Sequence, residues 1–288
     1  MTENAGAEQQ VTDQVLASLA GAASPRFREL MESLVRHAHA FVRETRLTEE
    51  EWAAGIEFLT RCGHITDDRR QEFILLSDVL GVSMLTIGVN HPATGDVTEA
   101  TVFGPFFTEG SPEVGLGGDV AGGAAGRPCW VEGTVRGVDG APVAGARIEI
   151  WEADADGFYD VQYTDDRTAG RGHLFTDADG GYRFWAVTPT PYPIPDDGPV
   201  GDLLAAAGRG PMRAPHLHLM VTAKGHRRLV THIFVRGGAH QDDDAVFGVK
   251  ESLLVDFVEH AAGEAAPDGS RPAVPWTSAV FDIVLAPA

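Results

Sequence analysis

The chain has 288 residues, of which 43% are hydrophobic and 22% charged; 22 Lys+Arg stand against 42 Asp+Glu for a formal net charge of −20. That length and composition suit one large or two modest globular domains and exclude wholesale disorder. The charge disfavours nucleic acid and anionic membrane surfaces, no run approaches the ~20 apolar residues of a membrane helix, and the polar start MTENAGAEQQ does not read as a secretory signal.

The first hundred residues read as helical. Ser24-Pro25 is a start signal, followed by Phe27, Leu30, Met31, Leu34, Ala38 and Phe41 at helical spacing. Thr48-Glu49-Glu50-Glu51 is a capping box ahead of Trp52, Ile56 and Leu59, and Cys62-Gly63 ends that helix. Asp67 and Asp68 are expected to open a third helix through Phe73, Leu75, Leu76 and Leu80, closing near Gly81, with a broken stretch onward to Leu85. The texture changes near Asn90-His91-Pro92, and the Gly/Ala-rich stretch 110–127 reads as a mobile surface loop.

Thereafter the period is two. Strands are expected at 130–135, 146–151, 182–187, 216–221, 229–234 and 279–285, with a turn at Asp139-Gly140. The predicted fold is mainly β: an antiparallel β-sandwich of residues 101–288 behind an N-terminal helical domain of residues 1–100. Two cysteines, Cys62 and Cys129, make no disulfide scaffold and suit a reduced, cytoplasmic setting.

The sharpest local feature is His216-Leu217-His218, because histidines at i and i+2 of a strand share one face and supply half of a four-ligand metal site. A polar strand edge would show the same spacing. Of the four tyrosines, Tyr159 and Tyr192 lie in loops that strand periodicity does not demand, and prolines flank Tyr192. Tyr182 fits plain packing on its strand.

These residues and their surroundings resemble the intradiol ring-cleavage dioxygenases. The likeness runs from about Phe73 to Lys250. It includes Leu76-Ser77-Asp78, Gly104-Pro105-Phe106-Phe107, Trp151-Glu152-Ala153-Asp154, Gly157-Phe158-Tyr159 and Arg213-Ala214-Pro215-His216-Leu217-His218. The resemblance implies one non-haem Fe(III) per subunit, held by Tyr159, Tyr192, His216 and His218. Fe(III) is hard and suits anionic oxygen donors, whereas a free phenol with a pKa of about 10 needs a strong local cation to ionise. A ferric ion binds O2 poorly, so the activated partner would be a catechol-type substrate chelated through adjacent oxygens and cleaved to a muconic-type diacid.

The same resemblance gives Tyr192 a second role, as the group that leaves the metal and takes a substrate proton. It assigns Arg213 to stabilising charge that develops on the substrate. At His232 many catechol-cleaving relatives carry glutamine, which leaves its role open, although a ring nitrogen could still donate to substrate.

Spacing and local motifs point to one branch. Tyr159 and Tyr192 are 33 residues apart, and Tyr192 and His216 are 24 apart. Together with Tyr192-Pro193-Ile194-Pro195 and Val246-Phe247-Gly248-Val249-Lys250, the first interval is similar to enzymes that cleave hydroxyquinol (benzene-1,2,4-triol). The product would be 3-hydroxy-cis,cis-muconate, the enol form of maleylacetate. A third hydroxyl needs a polar partner. Asp78, on one helix face with Leu75, is the candidate, although it could equally cap helix backbone. Val102, Phe103, Gly104, Pro105 and Phe106 would wall the ring on one side, with Ile194, Pro195 and Val246 opposite; Phe106 and Val246 could also be plain core.

Family members commonly dimerise through their helices, sometimes with a lipid-like ligand between subunits, so a homodimer is expected. Two other readings stand beside this one. One is the same enzyme acting on catechol or a chlorocatechol. The other is a non-catalytic transthyretin-like binding module, suggested by Gly140-Ala141-Pro142-Val143-Ala144-Gly145-Ala146 and Thr176-Asp177-Ala178-Asp179-Gly180-Gly181-Tyr182. That pattern gives no reason for Tyr192 or the histidine pair.

Overall fold

In the computed structural model, which describes residues 2–67, 70–92, 95–165 and 167–288, the helices that begin at Pro25 and Glu49 start where the capping residues place them. Helix α1 spans Thr2–Ser18, α2 Pro25–Thr45 and α3 Glu49–Ile65. Ser24 Oγ accepts the Phe27 amide at 3.1 Å with Pro25 in the first turn. Thr48 and Glu51 exchange reciprocal bonds of 2.9 and 3.2 Å ahead of α3. Contacts divide the chain into two compact units, Met1–His64 and Ile65–Ala288. In the first unit Phe27, Leu30, Leu34 and Phe41 of α2 and Trp52, Ile56 and Leu59 of α3 stay 45–60% exposed.

The second unit opens with two short helices, α4 (Glu72–Val79) and α5 (Val82–Asn90). They meet at 76° across Gly81, which takes a left-handed φ of 71°. Helix α4 begins later than Asp67, whose carboxylate accepts the Arg70 amide instead of opening a helix; Asp68 lies outside the described residues. Among the described residues no single helix is long and apolar enough to cross a membrane.

Two five-stranded sheets follow. One holds β1 (Pro128–Gly137), β4 (Gly181–Val187), β10 (Val258–His260), β11 (Trp276–Val280) and β12 (Ile283–Leu285). The other runs in the order β3 (Arg171–Phe175), β2 (Arg147–Trp151), β7 (His216–Thr222), β8 (Leu229–Val235) and β9 (Leu254–Val255). A two-stranded pair of β5 (Tyr192–Pro193) and β6 (Met212–Arg213) brackets helix α6 (Pro199–Ala206).

The sheets are mixed, which corrects the purely antiparallel expectation. Strand β1 runs parallel to β11 and β12, and β8 parallel to β9. Parallel partners are joined by long returns, and turn signals in a sequence reveal only hairpins. The single strand expected at 279–285 is two, broken where the Phe281 carbonyl accepts the Tyr182 hydroxyl at 2.6 Å and Asp282 accepts the Thr134 amide at 2.8 Å. Gly133 permits this approach, since a Cβ there would lie 1.9 Å from the Phe281 oxygen. The stretch 110–127 carries no helix or strand but is tethered: the Val114 amide bonds His173 O and the Val120 amide bonds Trp185 O.

Both sheets feed one apolar core. Val131, Val135, Phe184 and Ile283 from one side meet Ile148, Ile150, Leu217, Leu219, Val221 and Ile233 from the other. The alternation that turns Leu217, Leu219 and Val221 into this core sets His216 and His218 on the opposite face of β7.

Candidate metal centre

His216 and His218 are fully packed, 3% and 2% exposed, with their Nε2 atoms 3.2 Å apart. His216 Nδ1 donates to the Ala214 carbonyl at 2.6 Å, which leaves Nε2 as a lone pair facing the centre. His218 stacks on Trp151 at 4.7 Å, the residue opposite it on β2. On its other side, His218 Nδ1 lies 2.7 Å from Nε2 of His232. Gly104, at φ 76°, lets the chain pass this ring; a Cβ there would stand 3.2 Å from His218 Cε1.

The tyrosines arrive on loops built to hold them. Asp154 accepts the Asp156 and Phe158 amides at 3.0 Å each and the Tyr163 hydroxyl at 2.7 Å, shaping the loop that presents Tyr159. Gly157, at φ 88°, is required because a Cβ would fall 2.6 Å from Tyr192 Cβ. Tyr192 is held by the β5–β6 ladder, directly across from Arg213. Tyr159 Oη lies 2.9 Å from Tyr192 Oη and 2.9 Å from His218 Nε2, and Tyr192 Oη lies 3.2 Å from His216 Nε2. Four donor atoms from three segments thus converge in a buried space.

Burial pushes the His216 imidazole down to about 3 and His218 and His232 well below their ordinary value, so all three rings are neutral at pH 7. Burial, then the neighbouring Tyr192, push the Tyr159 phenol well above the usual phenol range; burial also raises Tyr192, against which the Arg213 charge works. Two phenols that cannot ionise unaided and two neutral imidazoles, of which His216 turns a free Nε2 lone pair to the centre, form a donor set suited to a hard, highly charged cation, which would lower both phenol pKa values. His216, His218 and His232 also group their nitrogens within 4.8 Å, but His232 Nε2 is already engaged with His218.

Arg213 is 4% exposed. Burial opposes its charge, and Asp244 together with the two phenols outweighs burial and keeps it above its ordinary value. Asp78 is buried too; burial raises its pKa, while a Ser83 hydrogen bond and the Arg213 charge pull the other way. Leu75, Pro105, Phe106 and Pro195 line a cavity of about 820 Å³, and Phe106 stacks on Tyr159 at 4.6 Å. Val102, Ile194 and Val246 are buried, and Phe103 packs on Phe107 and Trp151 at 4.7 and 5.7 Å.

Several residues that build the site escaped the sequence reading. Glu72, in α4, accepts the Val200 amide at the start of α6 (3.0 Å) and Arg70 Nε (3.1 Å), tying α4, which lines the cavity, to α6. Arg171 holds Asp160 and donates to the Phe106 carbonyl at 2.8 Å, which fixes Phe106 over Tyr159. Asp244 sits at the end of Asp242-Asp243-Asp244, a run that reads as solvated, yet it is buried against Arg213. No local signal separates such carboxylates from surface charge.

Comparison with known proteins shows what the chain is similar to. The catechol dioxygenase N-terminal family matches residues 24–98, and the dioxygenase family matches residues 102–287. The chain is 64% identical over 286 residues to the hydroxyquinol 1,2-dioxygenase of Nocardioides simplex, covering 99% of this chain and 98% of that protein. It is 62% identical to the hydroxyquinol 1,2-dioxygenase of Rhodococcus opacus, covering 97% and 94%. The crystal structure of hydroxyquinol 1,2-dioxygenase from Pseudomonas putida DLL-E4 superposes with a TM-score of 0.91 at 44% identity, covering 98% of this chain and 99% of that one.

Proposed function

Since this chain belongs to the intradiol ring-cleavage dioxygenases and is an enzyme of that family, we propose that it cleaves hydroxyquinol with O2 between its two adjacent hydroxyl-bearing carbons. The product is 3-hydroxy-cis,cis-muconate, and both atoms of O2 enter it, one in each new carboxyl group. The reading of a non-catalytic binding module falls with family membership. The substrate choice rests on the near full-length likeness to proteins named for that substrate. The observation that carries the chemistry is the convergence of Tyr159, Tyr192, His216 and His218.

The family uses non-haem iron, and these four side chains are the proposed ligands of one Fe(III) per subunit. Bound there, the ion would supply Lewis acidity toward two adjacent substrate hydroxyls. The chain's own groups do the rest. Tyr192 Oη, which the bound ion would hold as a phenolate, would take up a substrate hydroxyl proton, beside the Arg213 guanidinium that lies across the ladder from it. Arg213, with a buried Nη2 that has no hydrogen-bond partner among the described residues, stabilises negative charge on the substrate. His232 accepts at Nε2 from His218 Nδ1–H and keeps its Nδ1–H, unpartnered among the described residues, as a donor toward substrate. Asp78 bonds the third hydroxyl. Leu75, Val102, Phe103, Gly104, Pro105, Phe106, Ile194, Pro195 and Val246 enclose the ring and exclude water.

The two sheets are read as a β-sandwich catalytic domain of residues 101–288, and residues 1–100 as a helical domain. The apolar residues left exposed on α2 and α3 support a homodimer made through those helices, and a lipid-like ligand between subunits belongs to the same reading. A cytoplasmic location completes the reading.

A visible spectrum of the purified protein, before and after anaerobic addition of hydroxyquinol, tests the centre. Phenolate-to-iron charge transfer is expected to colour the protein, and substrate to shift the band. A protein that stays colourless after ferric loading refutes the assignment. Turnover of catechol at a higher kcat/KM than hydroxyquinol would replace the substrate and leave the centre intact.

A further inference from the structure

We infer that Asp244 is a positioning residue that aims the Arg213 guanidinium at the substrate; this rests on the reading of Arg213 given above. Asp242 and Asp243 are exposed, whereas Asp244 is 5% exposed and spends both carboxylate oxygens internally. Oδ1 accepts Arg213 Nε at 2.7 Å and the Ala214 amide at 3.1 Å, and Oδ2 accepts the Gly248 amide at 2.7 Å. The guanidinium is therefore gripped at Nε and felt by the Tyr192 phenol, while Nη2 is buried with no hydrogen-bond partner among the described residues. A buried donor without a partner is costly, and a substrate oxygen bearing negative charge is the group that would satisfy it.

Gly248 completes the grip. A Cβ there would stand 3.2 Å from Arg213 Nη2 and 3.2 Å from Asp244 Oδ2, so a side chain would press on the free arm of the guanidinium. The pair is fully desolvated, and a buried ion pair is weak evidence of stabilisation in itself. Its geometry instead serves direction: one carboxylate holds Arg213 across from Tyr192 through contacts 30 to 31 residues away in sequence.

The experiment measures kcat per bound iron, KM and the ferric charge-transfer band for Asp244→Asn, Gly248→Ala, Arg213→Ala and the Asp244→Asn/Arg213→Ala double variant. Asp244→Asn and Gly248→Ala are expected to lose kcat by roughly 10–100-fold with KM, iron content and band retained. The double variant should be no slower than Arg213→Ala alone, because both changes act through one group. If Arg213→Ala keeps its kcat, the reading of Arg213 itself fails. If Arg213→Ala loses kcat but Asp244→Asn and Gly248→Ala do not, or if the losses multiply in the double variant, Asp244 has no positioning role. Should Asp244→Asn not fold, Gly248→Ala, which retains the carboxylate, decides by the same readout.

Discussion

His218 and His232 face each other across β7 and β8, joined from Nδ1 to Nε2 at 2.7 Å. If His218 Nε2 is to face the centre as a lone pair, its Nδ1 carries the proton, and His232 must accept at Nε2 and carry its own proton on Nδ1. One tautomer choice is thereby passed from ring to ring. His232→Gln, which retains an acceptor, is expected to keep iron and colour. His232→Leu strands a buried donor and should weaken iron retention by roughly 10–100-fold, read as iron per subunit after dialysis against a chelator. Equal retention by both variants would remove His232 from the support of His218.

Asp78 sits in the field of Arg213, with burial raising its pKa. Asp78→Ala should lower kcat/KM for hydroxyquinol relative to catechol by about tenfold or more, the cost of a hydroxyl left without its partner. An unchanged ratio of the two substrates would place the third hydroxyl elsewhere.

Gly104→Ala combines two penalties, a left-handed φ of 76° and a Cβ 3.2 Å from His218 Cε1. The strain costs about 1–3 kcal/mol. The contact should push the imidazole off its place, and lower iron content together with a weakened charge-transfer band is the expected result. Loss of thermal stability with a normal band would mean that the loop yields and the ring does not.

Glu152 is buried, with Oε1 accepting the Val187 amide at 2.9 Å and Oε2 without a partner among the described residues, and burial pushes its carboxyl up to about 8. In the unfolded chain the same group ionises near the usual carboxylate value of about 4.3. Its folded pKa is the raised one, so its contribution to stability is complete below the unfolded value of about 4.3 and is lost as pH rises from there through about 8. Glu152→Gln removes this slope. The Tm of the variant minus that of the parent should therefore climb from pH 5 to pH 8, and a flat difference would show that Glu152 ionises normally.

Much of the architecture was legible because it is written in local periodicity. The caps of α2 and α3 appear as Ser24-Pro25 and Thr48–Glu51, and the histidine pair on β7 follows from a period of two. Strand β3 was not legible: Arg171-Gly-His-Leu-Phe175 lacks clean alternation, since four of its five residues are buried. Helix α6 was missed as well; its N-terminus is satisfied by Glu72, 128 residues earlier, and not by a cap of its own.

By itself the sequence determined the residue types available for chemistry, the strand face of His216 and His218, and, through whole motifs, the family. These depend on neighbours within a few residues along the chain. Only the tertiary structure decided that β1 runs parallel to β11 and β12, that Asp244 is buried against Arg213 and not solvated with Asp242 and Asp243, and that Gly157 and Gly104 clear space for Tyr192 and His218. Each of those outcomes joins groups that are distant in sequence. Their energies, the desolvation of a charge, a steric contact of 2.6 to 3.2 Å, a ladder between far strands, come into being only when the packed chain brings the partners together.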